Sequence, residues 1–363
     1  MGQFESKQHG FEGIVSHIYG TIYGQCIGDA IGLLTEFMIK AEAKKYYKQH
    51  IKNGLEYKLK VPDLHRERWQ TGDWTDDSDQ MLCILQSLLD MNGKIDVLDV
   101  GKKLHGWIQH GIPELEKRCM GLGRSTGTVL RHPEYLSDPH KAAYVVWDSS
   151  QRNIAPNGAV MRTSILGIHE FMSLEKVKEN TVNVCKCSHA DPRCIASCVA
   201  VTTAISTMLR REDQFILANG DFDISAITQF AYENAVTYIE NEDQKRELEA
   251  AMFAKRISSL ELSEYGKIGY TLKTLGAGFW ALRQNDFEKA LTTIVMEAGD
   301  ADTNGAVAGA LLGCKLSING IPSRWINDLK NKTYLNQKIH SLLELLVKME
   351  NLQEEQVQSF QAP

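Results

Sequence analysis

Apolar positions along this chain recur at helical spacing far more often than they alternate. Met81, Leu82, Leu85, Leu88 and Leu89 follow the polar run 75–79 and share one helical face, which predicts an amphipathic helix with an acidic start. Residues 194–209, 226–239, 270–282 and 325–349 carry the same period. Between Pro192 and Pro322 some 130 residues run without the ring that breaks a helix. Alternating runs of Val, Ile and Thr, and the turn dipeptides that join hairpins, are nearly absent. The pattern therefore predicts an all-α fold, one compact domain over residues 13–350, between a flexible N-terminus (1–12) and a polar tail (351–363).

Composition leaves that picture intact and removes several functions. Forty Lys and Arg against 46 Asp and Glu give a formal net charge of -6, so no global positive field exists to hold a phosphate backbone, and no specific nucleic acid is expected. Residues 40–60 are the local exception, with seven Lys against two Glu around Tyr46, Tyr47 and Tyr57. That mixture suits a stacking platform for single strands, but a solvated helix face with snorkelling lysines is the commoner outcome. The longest near-apolar stretch, 194–209, is shorter than the ~18 residues that suggest a membrane span. The opening MGQFESK lacks an apolar signal region, so a cytoplasmic or nuclear monomer is expected. Gly2 and Ser6 fit the N-myristoylation pattern, with a plain mobile terminus the favoured reading. Eight cysteines without an export signal read as reduced and buried. The cluster Cys185, Cys187, His189, Cys194 and Cys198 lacks the paired knuckles of a zinc site, and core packing is favoured.

Two distant segments carry the candidate chemistry. Residues 72–79 (GDWTDDSD) and 297–304 (EAGDADTN) each gather carboxylates and hydroxyls directly before an apolar helix. Adjacent carboxylates near a buried helix end repel one another, and a proton or a bound cation relieves them. With only oxygen donors on offer, that cation is a hard one, Mg2+, Mn2+ or Ca2+. Helix capping is the plain alternative for either segment alone. A calcium loop is excluded for the second, because Leu311, at position 12 with Asp300 as position 1, stands where a bidentate Glu is required. Gly305, Gly309 and Gly313 lay a smooth stripe on the second helix, along which another helix can approach. A third segment, 23–37, places Asp29 and Glu36 about two helical turns apart.

Together these segments resemble the ADP-ribosylglycohydrolase family, whose members include dinitrogenase reductase activating glycohydrolase and the ADP-ribosyl-acceptor hydrolases. GDAIG (28–32), WTDDSDQM (74–81), GLGRSTGTVL (121–130), NGAVMR (157–162), SHADPRC (188–194), IGYTLKTL (268–275) and GDADTNGAVAGALLG (299–313) fall in the family's order. The resemblance implies an all-α orthogonal helical bundle with a central metal-binding cleft and two Mg2+, or Mn2+. Carried over by motif, Thr75, Asp76 and Asp77 would ligate metal from one side, and Asp300, Asp302 and Thr303 from the other. Glu36 matches a mobile catalytic glutamate, with Asp76 and Asp77 as the other catalytic candidates. Gly121, Gly123, Ser125, Asn157, Gly158, His189 and Tyr270 would line the site for ADP-ribose. The implied activity is hydrolysis of the bond between ADP-ribose and an acceptor, an arginine side chain before a serine or a small molecule. A non-catalytic member resembling the J1 crystallins, or a two-metal phosphohydrolase, would use the same residues differently.

Overall fold

The computed structural model describes residues 2–350 and 363, with side chains from 13 to 349 and at 363. The expectations placed on residues 1–12, acylation of Gly2 included, and on the tail from 351 fall outside the residues so described. The helices, in order, are α1 (Gly2–Gly32), α2 (Lys40–Tyr47), α3 (Asp76–Asp90), α4 (Val97–His110), α5 (Arg124–Leu130), α6 (Pro139–Ser149), α7 (Leu174–Lys186), α8 (Pro192–Arg210), α9 (Ile224–Val236), α10 (Glu242–Met252), α11 (Thr271–Leu282), α12 (Phe287–Val295), α13 (Ala301–Leu316), α14 (Ser323–Asp328) and α15 (Lys332–Glu350). Among the described residues there is no strand, only three isolated bridges, so the fold is all-α.

Three of these helices are buried all round and make the centre. α1 from residue 15 onward, α8 and α13 keep almost no exposed side chain, which explains why none shows a strong apolar stripe. α8, at 19 residues, is long and apolar enough to cross a membrane by length and composition, but 89% of its apolar window is buried inside the protein, as in a core helix. α1 and α13 touch backbone to backbone. A Cβ built on Gly20, Gly24 or Gly28 of α1 would lie 2.2, 2.1 or 1.9 Å from the carbonyl oxygen of Gly313, Gly309 or Gly305. The stripe read on α13 thus meets a matching stripe on α1. Their contact carries the first turn of α13 into the middle of the protein, beside the end of α1.

Two expectations do not hold, and one disfavoured alternative falls away. The helix expected over 325–349 is broken between α14 and α15, because the Lys330 N–H turns away to donate to the Gly72 carbonyl at 2.9 Å and Asn331 adopts a φ of 61°. Glu36 does not share a helix with Asp29, since α1 ends at Gly32 and residues 33–37 form turns. In the lysine-rich segment, Tyr47 and Tyr57 are buried in the core, leaving Tyr46 alone exposed, so no stacking platform forms. All eight cysteines are free, and six are buried.

Candidate active site

Aspartates open many helices here, and most do so as caps. Asp96, Asp138, Asp191, Asp223 and Asp286 each accept a backbone N–H from the first turn they precede. α3 and α13 are different. Their N-cap residues, Thr75 and Asp300, make no side-chain capping bond, and the carboxylates of the two first turns face one another. The amides of α3 are satisfied from elsewhere: Asp29 of α1 accepts from Thr75 N (2.8 Å), Ser78 N (3.0 Å) and Ser78 Oγ (2.6 Å). Asp29 is therefore a cap supplied by a neighbouring helix, a role sequence reasoning missed.

The two acidic turns meet in space. Thr75 Oγ1 lies 3.2 Å from Asp77 Oδ2 and 3.3 Å from Asp302 Oδ2, and Thr303 is in hydrogen-bonding reach of Asp77. One oxygen each of Glu36, Asp300 and Asp302 falls within 4.8 Å of the others. Glu36 comes from the turn after α1, which is strapped down by main-chain bonds. Phe37 N donates to Gly299 O at 2.7 Å and Gly299 N to Met38 O at 3.0 Å. Arg66 Nε donates to Leu34 O at 2.9 Å, and His65 Nε2 stands 2.6 Å from Glu36 Oε2.

Burial and mutual repulsion raise the pKa of the four aspartates Asp76, Asp77, Asp300 and Asp302. Asp76 is pushed well up by burial and by Glu36 and Asp29, Asp77 by burial and by Asp29 and Asp76, and Asp302 by burial and by Glu36 and Asp77. Asp300 rises to about 6, from burial and Glu36, although the Asn157 amide donates to it at 2.8 Å. Asp77 Oδ1 is buried without any partner. A crowded, all-oxygen, negatively charged donor set with an orphaned carboxylate oxygen fits a hard divalent cation.

Not every acid nearby belongs to that set. Asp79 accepts from Trp74 Nε1 (2.8 Å), Trp107 Nε1 (3.2 Å) and Lys117 Nζ (2.9 Å). Lys117 also donates to Trp74 O (2.6 Å) and reaches Asp73 (3.3 Å). Burial works against this ammonium, yet Asp79 and Asp73 outweigh it and hold its pKa above the usual lysine value. Lys117 thus clamps both flanks of the Thr75–Asp77 turn from below.

The residues expected around a nucleotide sit on one side of this centre. Gly121 is packed on Asp76, with a φ of +91° and no room for a Cβ, which would lie 2.2 Å from Asp76 Oδ1. Gly123 opens α5. Ser125 and His189 line a cavity with Val129, Trp147, Ile154 and Pro156. Gly158 passes over His189, where a Cβ would lie 3.2 Å from Nε2. Asn157 uses its amide on Asp300 and, at 3.0 Å, on Thr274 Oγ1, so its side chain positions an acidic residue. Tyr270 lies further out, donating to Glu247 Oε2 at 2.7 Å.

The family model described as ADP-ribosylglycohydrolase matches residues 12–356. ADP-ribosylarginine hydrolase Tri1 of Serratia proteamaculans (strain 568) is 25% identical over 336 residues, covering 91% of this chain and 78% of that protein. ADP-ribosyl-[dinitrogen reductase] glycohydrolase of Rhodospirillum rubrum is 24% identical over 329 residues, covering 90% and 95%. A solved ADP-ribosylglycohydrolase-related protein complex shares the fold at a TM-score of 0.68 and 23% identity, covering 92% of this chain and 98% of that one. The chain belongs to the ADP-ribosylglycohydrolase family.

Proposed function

We propose that this family member hydrolyses the bond between ADP-ribose and an arginine side chain of a modified protein, with divalent cations held between the two acidic turns. The observation that carries the reading is the approach of Thr75 to both Asp77 and Asp302, which joins segments 227 residues apart. The arginine preference rests on the name of the Serratia relative.

Thr75, Asp76, Asp77, Asp300, Asp302 and Thr303 are the residues we assign to two Mg2+, with Mn2+ as the alternative. Such ions would supply Lewis acidity and positive charge beside the ribose hydroxyls. The chain's own groups do the rest. Breaking the bond at C1 of ribose develops positive charge on the sugar, which the surrounding carboxylates favour electrostatically. Glu36 has Oε2 occupied by His65, leaving Oε1 to accept a proton from the water that attacks C1. The C1–N bond breaks as the C1–O bond forms, and that proton is returned to the departing guanidine nitrogen. We place the nucleobase in the apolar slot of Val129, Trp147, Ile154 and Pro156, and the diphosphate near Ser125, His189 and the Gly121, Gly123 and Gly158 backbone.

The test is hydrolysis of ADP-ribosylated arginine and serine peptides with Mg2+ in oxygen-18 water. Release of ADP-ribose labelled at the C1 hydroxyl, from arginine before serine, is expected. Label in phosphate would replace this reading with a phosphohydrolase, and ADP-ribose binding without turnover would leave a non-catalytic member.

A further inference from the structure

Arg162 is a fully buried guanidinium in the middle of the protein, and no carboxylate among the described residues pairs with it. Its Nη1 donates to Gln80 Oε1 at 2.7 Å and its Nη2 to Ser188 Oγ at 2.5 Å. Each of those neighbours leads to the candidate site. Gln80 Nε2 donates to Asp76 Oδ2 at 3.0 Å, and Ser188 Oγ stands 2.6 Å from His189 Nδ1. A continuous chain therefore runs from the first acidic turn to the nucleotide-side histidine.

Donor counting fixes the direction of this chain. A guanidinium only donates, so Ser188 Oγ accepts from Arg162, and among the described residues His189 Nδ1 is the acceptor within reach of its single proton. Burial, and then the Arg162 charge, push the His189 pKa down to about 3, so the ring is neutral and carries one proton. That proton must be on Nε2. This nitrogen is buried, has no partner, and belongs to the lining of the cavity shared with Ser125 and Trp147. A buried N–H without an acceptor is costly, which points to an oxygen that the ligand brings. Gly158 leaves that approach open, since a side chain there would crowd both Nε2 and Thr126 Oγ1.

We propose that Arg162 is the positioning residue that joins the two halves of the site. Through Ser188 it holds His189 with its proton on Nε2, as a donor to a phosphoryl or hydroxyl oxygen of ADP-ribose, and through Gln80 it braces Asp76. The ligand's identity rests on the reading above; the tautomer does not.

Nitrogen-15 NMR of the histidine-labelled full-length protein reads the tautomer directly, with His189 assigned by the signals lost in His189→Asn. Wild type should show a protonated Nε2 and bare Nδ1, Ser188→Ala a mixture, and Arg162→Lys partial retention, because lysine still donates to Ser188. Calorimetric titration with ADP-ribose and Mg2+ should find Ser188→Ala about tenfold weaker than wild type, the effect of one hydrogen bond. A protonated Nδ1 in wild type, or a Ser188→Ala variant unchanged in both tautomer and affinity, overturns the proposal. Should Arg162→Lys fail to fold, Ser188→Ala, which cuts the same relay one bond further on, carries the test. If the tautomer is as expected but wild type ignores ADP-ribose, the relay stands and the functional reading falls.

Discussion

Replacing Gly309 by Ala probes the contact on which the site is built. The new Cβ would lie 1.9 Å from the Gly24 carbonyl oxygen and 2.6 Å from its carbon, against backbone that cannot rotate away. Relief requires α1 and α13 to part by more than about 1 Å, and overpacking of this kind costs typically 1–3 kcal/mol and occasionally more. A clash against rigid backbone falls at the upper end of that range, about 3 kcal/mol, and alanine's better helix propensity returns about 1 kcal/mol, so a net loss of about 2 kcal/mol is expected. For a chain of this size that is a fall in Tm of ~3 °C. Gly106 provides the internal control. It sits inside α4 with nothing within 4 Å of its Cβ position, so Gly106→Ala should gain about 0.5–1 kcal/mol. Position along the interface then separates stability from function. Gly305 directly follows the turn bearing Asp302 and Thr303, whereas Gly313 lies two turns further on. Gly305→Ala should therefore lose far more hydrolase activity than Gly313→Ala at similar cost in thermal unfolding. A Gly309→Ala protein that melts with wild type would refute the close-approach argument.

Three further outcomes follow from the charges. Asp300, raised from 3.8 to about 6 in the folded chain, contributes stability that is fully present below about pH 4 and is lost as pH rises through 6; the two-unit shift is worth about 3 kcal/mol. Chelated protein should thus melt lower at pH 8 than at pH 5, and Mg2+ should restore more at pH 8; equal melting at both pH values would contradict the repulsion argument. Asp302→Asn removes one of the mutually repelling carboxylates, so its chelated form should melt no lower than chelated wild type while Mg2+ stabilisation and turnover are lost. Retained turnover would remove Asp302 from the proposed cation site. Lys117→Met strands Asp79 and Asp73 in the interior and should cost about 3–5 kcal/mol in denaturant unfolding, with Lys117→Met/Asp79→Asn recovering part of it; a double variant no better than the single would show that the ion pair is not the cause.

Local order carried most of the fold. Helical periods around 81–89, 194–209, 226–239 and 270–282 each correspond to a helix, because period and breakers act within one element. The break at 329–331 is only faintly marked in the sequence: Leu329 and Leu335 stand six residues apart, off the helical spacing, and Asn331 is a residue type that tolerates the left-handed φ it adopts, while the bond from Lys330 N–H to the Gly72 carbonyl is set by a segment far away in the chain. The site divides the same way. Carboxylate density marked the turns at 75–77 and 300–303, and the glycine stripe of α13 signalled a close neighbour, although its mate on α1 at Gly20, Gly24 and Gly28 shows equal spacing and was legible too.

What density cannot convey is which aspartates have oxygens to offer. Asp29, Asp76, Asp77 and Asp79 look alike as residues, yet Asp29 has both oxygens bound to the start of α3, and Asp79 has both bound to two indoles and Lys117. Their partners come from 38 to 49 residues away for Ser78, Thr75 and Lys117, so no motif spacing encodes the commitment. Removing these two leaves Asp77, with its orphaned Oδ1, and Asp76, braced at Oδ2 by Gln80, facing Asp300, Asp302 and Glu36. Which carboxylate oxygens stay unpaired is decided by the donors that occupy the others. Supplying the buried acids that shape the turn with amides, indoles and an ammonium would keep them from competing for the proposed cation, and leaves the crowded charge on the turns that face one another.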